Sequence, residues 1–288
     1  MIEPRLLLCT DMDRTVIPNG LQSEHPQARK LFAAFCKLPQ VILVYVTGRH
    51  QNLVKQAIKN YSLPTPSYAI TDVGTKIYRI EDQQWQELQA WENEIDKDWH
   101  GKSHEQLKTL FADISDLQLQ EHSKQNTHKL SYYTTLQIKQ ERLLSLMTQR
   151  LDEIGVQASL VWSVDEPKGI GLLDVLPRNA TKLHAIDFLR QQIDFSLDEI
   201  VFAGDSGNDL PVLGSVIPSV LVANATDDVI EASKELTQKS NTQQMFYLAS
   251  GRNTIKNGNY SSGVLEGVYH FAPAFREKLK QIGFFNDE

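Results

Sequence analysis

The sequence predicts an α/β protein: a Rossmann-like doubly wound parallel-sheet core with an inserted α+β cap domain. Three observations predict it. Continuous apolar runs at Leu6–Cys9, Val41–Val46 and Ile200–Ala203 suit strands buried on both faces of a parallel sheet. Helical periodicity separates the first two runs, and the alternation reads β-α-β-α-β as far as residue 80. Each run ends in polar punctuation, namely Asp11-Met12-Asp13, Thr47-Gly48-Arg49 and Gly204-Asp205, which a parallel sheet gathers at its carboxyl edge.

In chain order, the turn signal Pro18-Asn19-Gly20 precedes a helix over 27–37. A second helix over 52–60 shows Leu53, Val54, Ala57 and Ile58 on one face, and Leu63-Pro64-Thr65-Pro66 ends it. Tyr68–Thr71 reads as a third strand, and 76–80 as a hairpin arm. The character then changes. Helices are expected over 84–99, 104–114 and 141–154, and strands over 129–133, 156–163 and 169–176. From 182 the first pattern resumes, with a helix over 182–192, strands at 200–203 and 220–222, and a helix beyond Thr226. A final helix is expected near Ser261, after a glycine- and asparagine-rich loop over 251–262. The expected division is a core of 1–80 with 177–288, and a cap of 81–176.

Composition narrows the class. The 288 residues are 41% hydrophobic and 23% charged, ordinary for a globular chain with a sizeable core. The net charge of −7, without any lysine/arginine cluster, argues against nucleic-acid or membrane-surface partners. Nothing approaches the roughly 20 apolar residues of a membrane span, and no signal peptide is evident before Asp11, so a cytoplasmic location is expected. Cys9 and Cys36 are expected as buried thiols in a reducing compartment. His100 and His104 share a helical face but lack metal-ligand companions, and read as solvated.

The chemistry lies in the punctuation. Asp11 and Asp13, two apart, can converge on one small object, and carboxylates so close need a cation between them or a shared proton. An isolated Asp-x-Asp is more often an exposed turn; here its company decides. Asp205 and Asp209 share a face at a helix start. A calcium loop would need glycine where Leu210 stands. Four aspartates of hard oxygen chemistry suit Mg²⁺, so Asp11, Asp13, Asp205 and Asp209 are the expected metal ligands. Phosphoryl transfer needs these parts: Asp11 as nucleophile, Asp13 as acid and then base, and Thr47 with Lys182 on the phosphoryl oxygens. Gly48, Arg49 and Asn208 lie beside these groups and are expected to contact the substrate.

With those residues in place, the chain resembles the haloacid-dehalogenase-like phosphatases. Asp11-Met12-Asp13-Arg14-Thr15-Val16 looks like their first motif and Val46-Thr47-Gly48 their second. Lys182 resembles the third, and Gly204-Asp205-Ser206-Gly207-Asn208-Asp209 the fourth. Asp11 and Thr47 are 36 residues apart while Thr47 and Lys182 are 135 apart, so the resemblance implies an α+β cap between the second and third motifs. Within that branch the chain is most similar to sucrose-6-phosphate phosphatases, on Val44–Arg49, Asp72-Val73-Gly74-Thr75, Lys129–Tyr132 and Ser262–Glu266. Three places depart from the pattern: Leu183 follows the lysine where glycine is usual, Arg14 replaces a small polar residue, and 164–168 has no counterpart.

The resemblance implies a Mg²⁺-dependent sugar-phosphate phosphatase acting through an aspartyl-phosphate, with sucrose 6-phosphate first among substrates. Alternatives are mannosyl-3-phosphoglycerate or an amino-sugar phosphate as substrate, a phosphomutase, or a non-catalytic sugar-phosphate sensor. A sugar-phosphate synthase is an expected partner. The core groups touch only phosphoryl and metal, so sugar selection is expected from the cap, on Lys129, Ser131 and Tyr133, which alternate onto one strand face.

Overall fold

The computed structural model describes residues 3–165, 168–251 and 257–285. Glu166 and Pro167 of the unmatched cap segment, and 252–256 of the glycine- and asparagine-rich loop, lie outside the described residues. The chain first lays down β1 (Leu6–Thr10), α1 (Ala28–Cys36), β2 (Val41–Val46), α2 (Gln51–Tyr61), β3 (Tyr68–Thr71), β4 (Lys76–Glu81) and β5 (Gln84–Glu87). Next come α3 (Gln89–Trp99), α4 (His104–Leu110), β6 (Gln118–Leu119), β7 (Leu130–Thr134), α5 (Gln140–Glu153), β8 (Ala158–Asp165) and β9 (Ile170–Pro177). The return adds α6 (Lys182–Gln192), β10 (Ile200–Gly204), α7 (Leu210–Leu213) and β11 (Ser219–Leu221). It ends with α8 (Asp227–Ser240), β12 (Phe246–Leu248), α9 (Ser261–Phe271) and α10 (Arg276–Gln281). The final helix is therefore α10, after the α9 expected near Ser261.

Two compact units result, Met1–Glu87 with Lys182–Glu288, and Leu88–Thr181. The larger holds one sheet in the order β12-β11-β10-β1-β2-β3-β4-β5. Strands β12 to β3 run parallel, and β4 and β5 add an antiparallel hairpin. Parallel strands need apolar residues on both faces, and every residue of β1 is buried. Leu6 and Leu8 face Phe32 and Phe35 of α1, Val54 of α2 and Val264, Leu265 and Val268 of α9 in one core cluster. Leu7 and Cys9 face the opposite way by alternation. The sheet is thus doubly wound, as its sequence predicts.

Strand order reverses between β1 and β10. From β1 the chain moves outward through β2 and β3, and on returning it moves the other way through β10, β11 and β12. Loops leaving the carboxyl ends of β1 and β10 diverge at such a point and leave a crevice between them. The register sets Thr10 against Ala203, and the Asp11 amide donates to the Ala203 carbonyl at 2.8 Å. Asp11 and Asp205 are thereby brought to the same edge.

Three departures have local causes. The helix expected from Gln84 starts at Gln89, because 84–87 pair with β4 as an edge strand and Trp85 packs edge-on against Tyr78 at 5.6 Å. The hairpin keeps 81–87 with the large sheet. At the other end, Asp98 accepts hydrogen bonds from Asn179 N at 2.6 Å and Asn179 Nδ2 at 2.8 Å, which ties 178–181 to the smaller unit. The unit boundaries therefore fall a few residues later than expected at both crossings. Cys9 is buried as expected, whereas Cys36 is only half-buried.

The smaller unit is α+β. Its four-stranded antiparallel sheet has the order β6-β7-β9-β8. Leu130, Tyr132, Leu173 and Val175 cover one face, packed with Trp99, Leu107, Phe111, Leu143, Met147 and Leu151 from α3 to α5 and the turn after α4. Burying such side chains contributes about 1.5–3 kcal/mol each, which gives this unit a core of its own. Among the described residues, no helix is long and apolar enough to cross a membrane.

Candidate active site

Asp11 follows the last residue of β1 and is 5% exposed. The chain then curls tightly, with the amides of Thr15, Val16 and Ile17 all donating to the Met12 carbonyl at 3.3, 3.0 and 2.8 Å. Arg14 takes a left-handed conformation in this curl, at φ 56°. The turn carries Thr15 round to donate its hydroxyl to Asp205 Oδ1 at 3.1 Å.

Asp205 and Asp209 come from the loop after β10. Asp209 is fully buried and folds back over its own turn, its Oδ2 accepting from the amides of Asp205 and Ser206 at 3.1 and 3.2 Å. Gly204 makes this possible, since a Cβ there would lie 2.5 Å from Asp209 Cγ. Lys182 opens α6 and is buried. Its Nζ donates to Asp209 Oδ1 at 2.7 Å and Asn208 Oδ1 at 2.9 Å, and lies 3.4 Å from Asp11 Oδ1.

Asp11, Asp205 and Asp209 offer carboxylate oxygens within 4.8 Å of one another, all buried. Asp205 Oδ2 is the informative atom. It is buried without a hydrogen-bond partner, and Arg14 Nε lies 3.4 Å away but misaligned for one. An orphaned carboxylate oxygen in a buried carboxylate cluster is the donor chemistry of a hard divalent cation. The residues present fit such an ion.

Electrostatics agree. Burial pushes the Asp11 carboxyl up, outweighing the pull of Lys182, and Asp209 adds to the rise. Burial, then the neighbouring Asp209, pushes Asp205 up to about 6. Burial alone would depress Lys182, but Asp11 and Asp209 hold it above its ordinary value and keep it charged.

Asp13 stands apart. The expected set of four carboxylates resolves into three together and one elsewhere, because Asp13 is turned toward Arg49. Arg49 Nε and Nη2 donate to its two oxygens at 2.7 and 2.6 Å, and Asn19 Nδ2 donates at 2.8 Å. Burial would raise this carboxyl, yet the Arg49 hydrogen bond and charge, with Asn19, hold it below the usual range. Thr47, buried just beyond β2, accepts from the Arg49 amide at 3.2 Å. Gly48 is exposed, and a Cβ there would meet only Val73, at 3.9 Å. All these groups belong to the larger unit.

Lys129, Ser131 and Tyr133 belong to the smaller unit, on the face of β7 opposite its core. Ser131 donates its hydroxyl to Asp174, whose other oxygen lies 3.8 Å from Lys129 Nζ. Tyr133 donates to Glu121 at 2.7 Å and accepts from Lys124 at 2.9 Å. His104 Nε2 lies 3.3 Å from Gln125 Oε1 and joins no acidic cluster among the described residues.

Sequence reasoning missed the roles of Thr15 and Asn19. Thr15 carried a signal, its place four residues beyond Asp11. Asn19 lay inside what reads simply as a turn.

The comparisons with known proteins decide the family. The family model of sucrose-6F-phosphate phosphohydrolase matches residues 4–272. The chain belongs to that family. This makes it a haloacid-dehalogenase-like hydrolase of the phosphatase kind. A putative haloacid-dehalogenase-like hydrolase of Nitrosococcus oceani is 49% identical over 275 residues, covering 96% of this chain and 74% of the relative. Sucrose-phosphatase 1 of Nicotiana tabacum is 26% identical over 239 residues, covering 79% of this chain and 52% of the relative. The chain thus spans about half the length of the plant sucrose-phosphatases it matches. Among solved structures, the sucrose-phosphatase of Synechocystis sp. PCC6803 in complex with sucrose and phosphate superposes with a TM-score of 0.69. It is 24% identical and covers 93% of this chain and 98% of its own, a likeness of fold.

Proposed function

We propose that the chain hydrolyses a sugar phosphate monoester through an aspartyl-phosphate, with Mg²⁺ as cofactor and sucrose 6-phosphate as the first candidate substrate. The observation that carries the reading is the convergence of Lys182 with Asp11, Asp205 and Asp209 at the strand-order reversal, while Asp13 is held separately two residues from Asp11.

Asp11 attacks the phosphorus in line through an oxygen of its ionised carboxylate, forming the acyl phosphate as the sugar alkoxide leaves. Asp13 gives that alkoxide its proton, then takes one from the water that attacks the acyl phosphate and releases inorganic phosphate. Lys182 and the Thr47 hydroxyl hold phosphoryl oxygens in place. Asp11, Asp205 and Asp209 would hold Mg²⁺, which neutralises charge on the phosphoryl oxygens. Asn208 positions Lys182 through the 2.9 Å contact. Gly48 and Arg49 lie beside the leaving group. We assign recognition of the sugar to Lys129, Ser131 and Tyr133 of the smaller unit, whose outward strand face is polar and interlinked.

The test is phosphate release across a panel of sugar phosphates, with Mg²⁺ and with EDTA. Release from sucrose 6-phosphate that requires Mg²⁺ is expected. Equal release in EDTA would overturn the metal assignment. A clear preference for another sugar phosphate would overturn the sucrose assignment and leave the chemistry standing. Binding without turnover would make the chain a sensor.

A further inference from the structure

Arg14 sits in a built setting. Its backbone is in the left-handed region, which costs an L-residue roughly 1 kcal/mol or more and persists only where surroundings enforce it. Two asparagines enforce it here. The Arg14 amide donates to Asn19 Oδ1 at 2.8 Å, and its carbonyl accepts from Asn224 Nδ2 at 2.6 Å. The guanidinium is held as well, with Nη2 donating to the Asn224 carbonyl at 3.1 Å. Gly20 leaves room for it, since a Cβ there would lie 3.5 Å from Arg14 Nε and 2.8 Å from the Tyr260 hydroxyl. Asn224 is itself fixed by accepting from the Tyr260 amide at 2.8 Å.

All this places a permanent cation 3.4 Å from the orphaned Oδ2 of Asp205, without the alignment of a hydrogen bond. Arg49 and Asp13 cancel each other. Against the three clustered aspartates there remain Lys182 and Arg14, so the cluster in the fully ionised form that meets a cation carries about one uncompensated negative charge with Arg14 and about two without it. A dication is drawn less strongly to the first than to the second.

We infer that Arg14 is a built-in counter-ion of the acidic cluster, which supports the metal-free site and weakens its hold on a divalent cation. The inference rests on the reading of the cluster as a metal site. Arg14 makes Mg²⁺ exchangeable by standing in for part of its charge. One third of the Arg14 side chain is exposed, and water screens the effect to a modest size.

The test is calorimetric titration of the full chain with Mg²⁺, alongside thermal unfolding in EDTA and in saturating Mg²⁺. Arg14→Gln, which keeps a donor for Asn224 but no charge, is expected to bind Mg²⁺ roughly 3- to 10-fold more tightly than the wild type. It should also lose more thermal stability in EDTA than in Mg²⁺. Arg14→Lys, which keeps the charge, should bind close to the wild type. Arg14→Met serves as a second neutral variant, and the Mg²⁺-loaded melt checks that both neutral variants fold. An affinity in the neutral variants equal to or weaker than wild type, with wild-type uptake intact, overturns the role of Arg14 alone. Absence of saturable Mg²⁺ uptake by the wild type overturns the metal reading and this inference with it.

Discussion

Arg49 closes on Asp13 with two parallel hydrogen bonds of 2.7 and 2.6 Å. Such a fork is the strongest form of carboxylate pairing, and it holds Asp13 as an anion in the resting protein. An ionised Asp13 is ready to act as a base and unready to act as an acid. On the proposed mechanism, a phosphate dianion would offer Arg49 a competing partner, and release of Asp13 would let it take up the proton that the alkoxide needs.

Arg49→Ala is therefore expected to raise the Asp13 carboxyl, since burial then acts against a weaker opposition. The alkaline limb of kcat/KM for a sugar phosphate should move to higher pH. The same limb for p-nitrophenyl phosphate, whose leaving group needs no proton, should move little. Identical profiles for the variant and wild type on the sugar phosphate would show that Arg49 does not govern Asp13.

Asp11→Asn should lower steady-state turnover by on the order of 10³-fold or more, because it removes the attacking oxygen. Its stability should hold or rise. The Asp11 carboxyl is raised in the fold, so the folded metal-free protein keeps a proton that the unfolded chain has lost above about pH 4. Stability in EDTA accordingly falls as pH rises from that value through the raised one, and the asparagine variant escapes the fall. Melting curves in EDTA at pH 5 and pH 8 check it, the advantage of the variant being larger at pH 8. A variant destabilised equally at both would contradict the assignment of repulsion to Asp11.

Protons and the cation compete for the same oxygens. Asp205 is raised to about 6, so metal binding below that pH must displace a proton. Mg²⁺ affinity should begin to fall above that pH, where the more strongly raised Asp11 takes its proton, and fall more steeply below about 6, and titrations in buffers of different ionisation heat should register proton release. A constant affinity from pH 5 to pH 8 would place the cation elsewhere.

Lys129→Ala should reduce kcat/KM for the favoured sugar phosphate by roughly 10- to 100-fold, the loss of one or two hydrogen bonds to the sugar. Activity on p-nitrophenyl phosphate should barely change. Since Lys129 lies 3.8 Å from Asp174, a parallel loss on both substrates, accompanied by a lower melting temperature, would make the lysine a support of its own sheet.

The core was legible because its chemistry and its burial coincide. Leu6–Thr10 had to be a fully buried parallel strand, and Asp11 could then sit only at its carboxyl end. The rest escaped for physical reasons. Gln84–Glu87 is polar and largely exposed, so no apolar alternation marks it as a strand, and the helical pattern of α3 runs back over it. Phe246–Leu248 is three residues at a sheet edge, too short to show a period. The separation of Asp13 from the other carboxylates depends on where Arg49 and Asn19 point, which spacing along a chain does not encode.

The pairing of β1 with β10 joins segments about 190 residues apart, and synthesis at 5–20 residues per second separates their emergence by roughly 10 to 40 s. Through that interval β2 can cover one edge of β1 while the other waits bare, an apolar strand with its hydrogen-bonding groups unmet. Asp205, Asp209 and the cover for that edge of β1 arrive together when β10 docks. A chain interrupted before then has an incomplete carboxylate cluster and a bare strand edge.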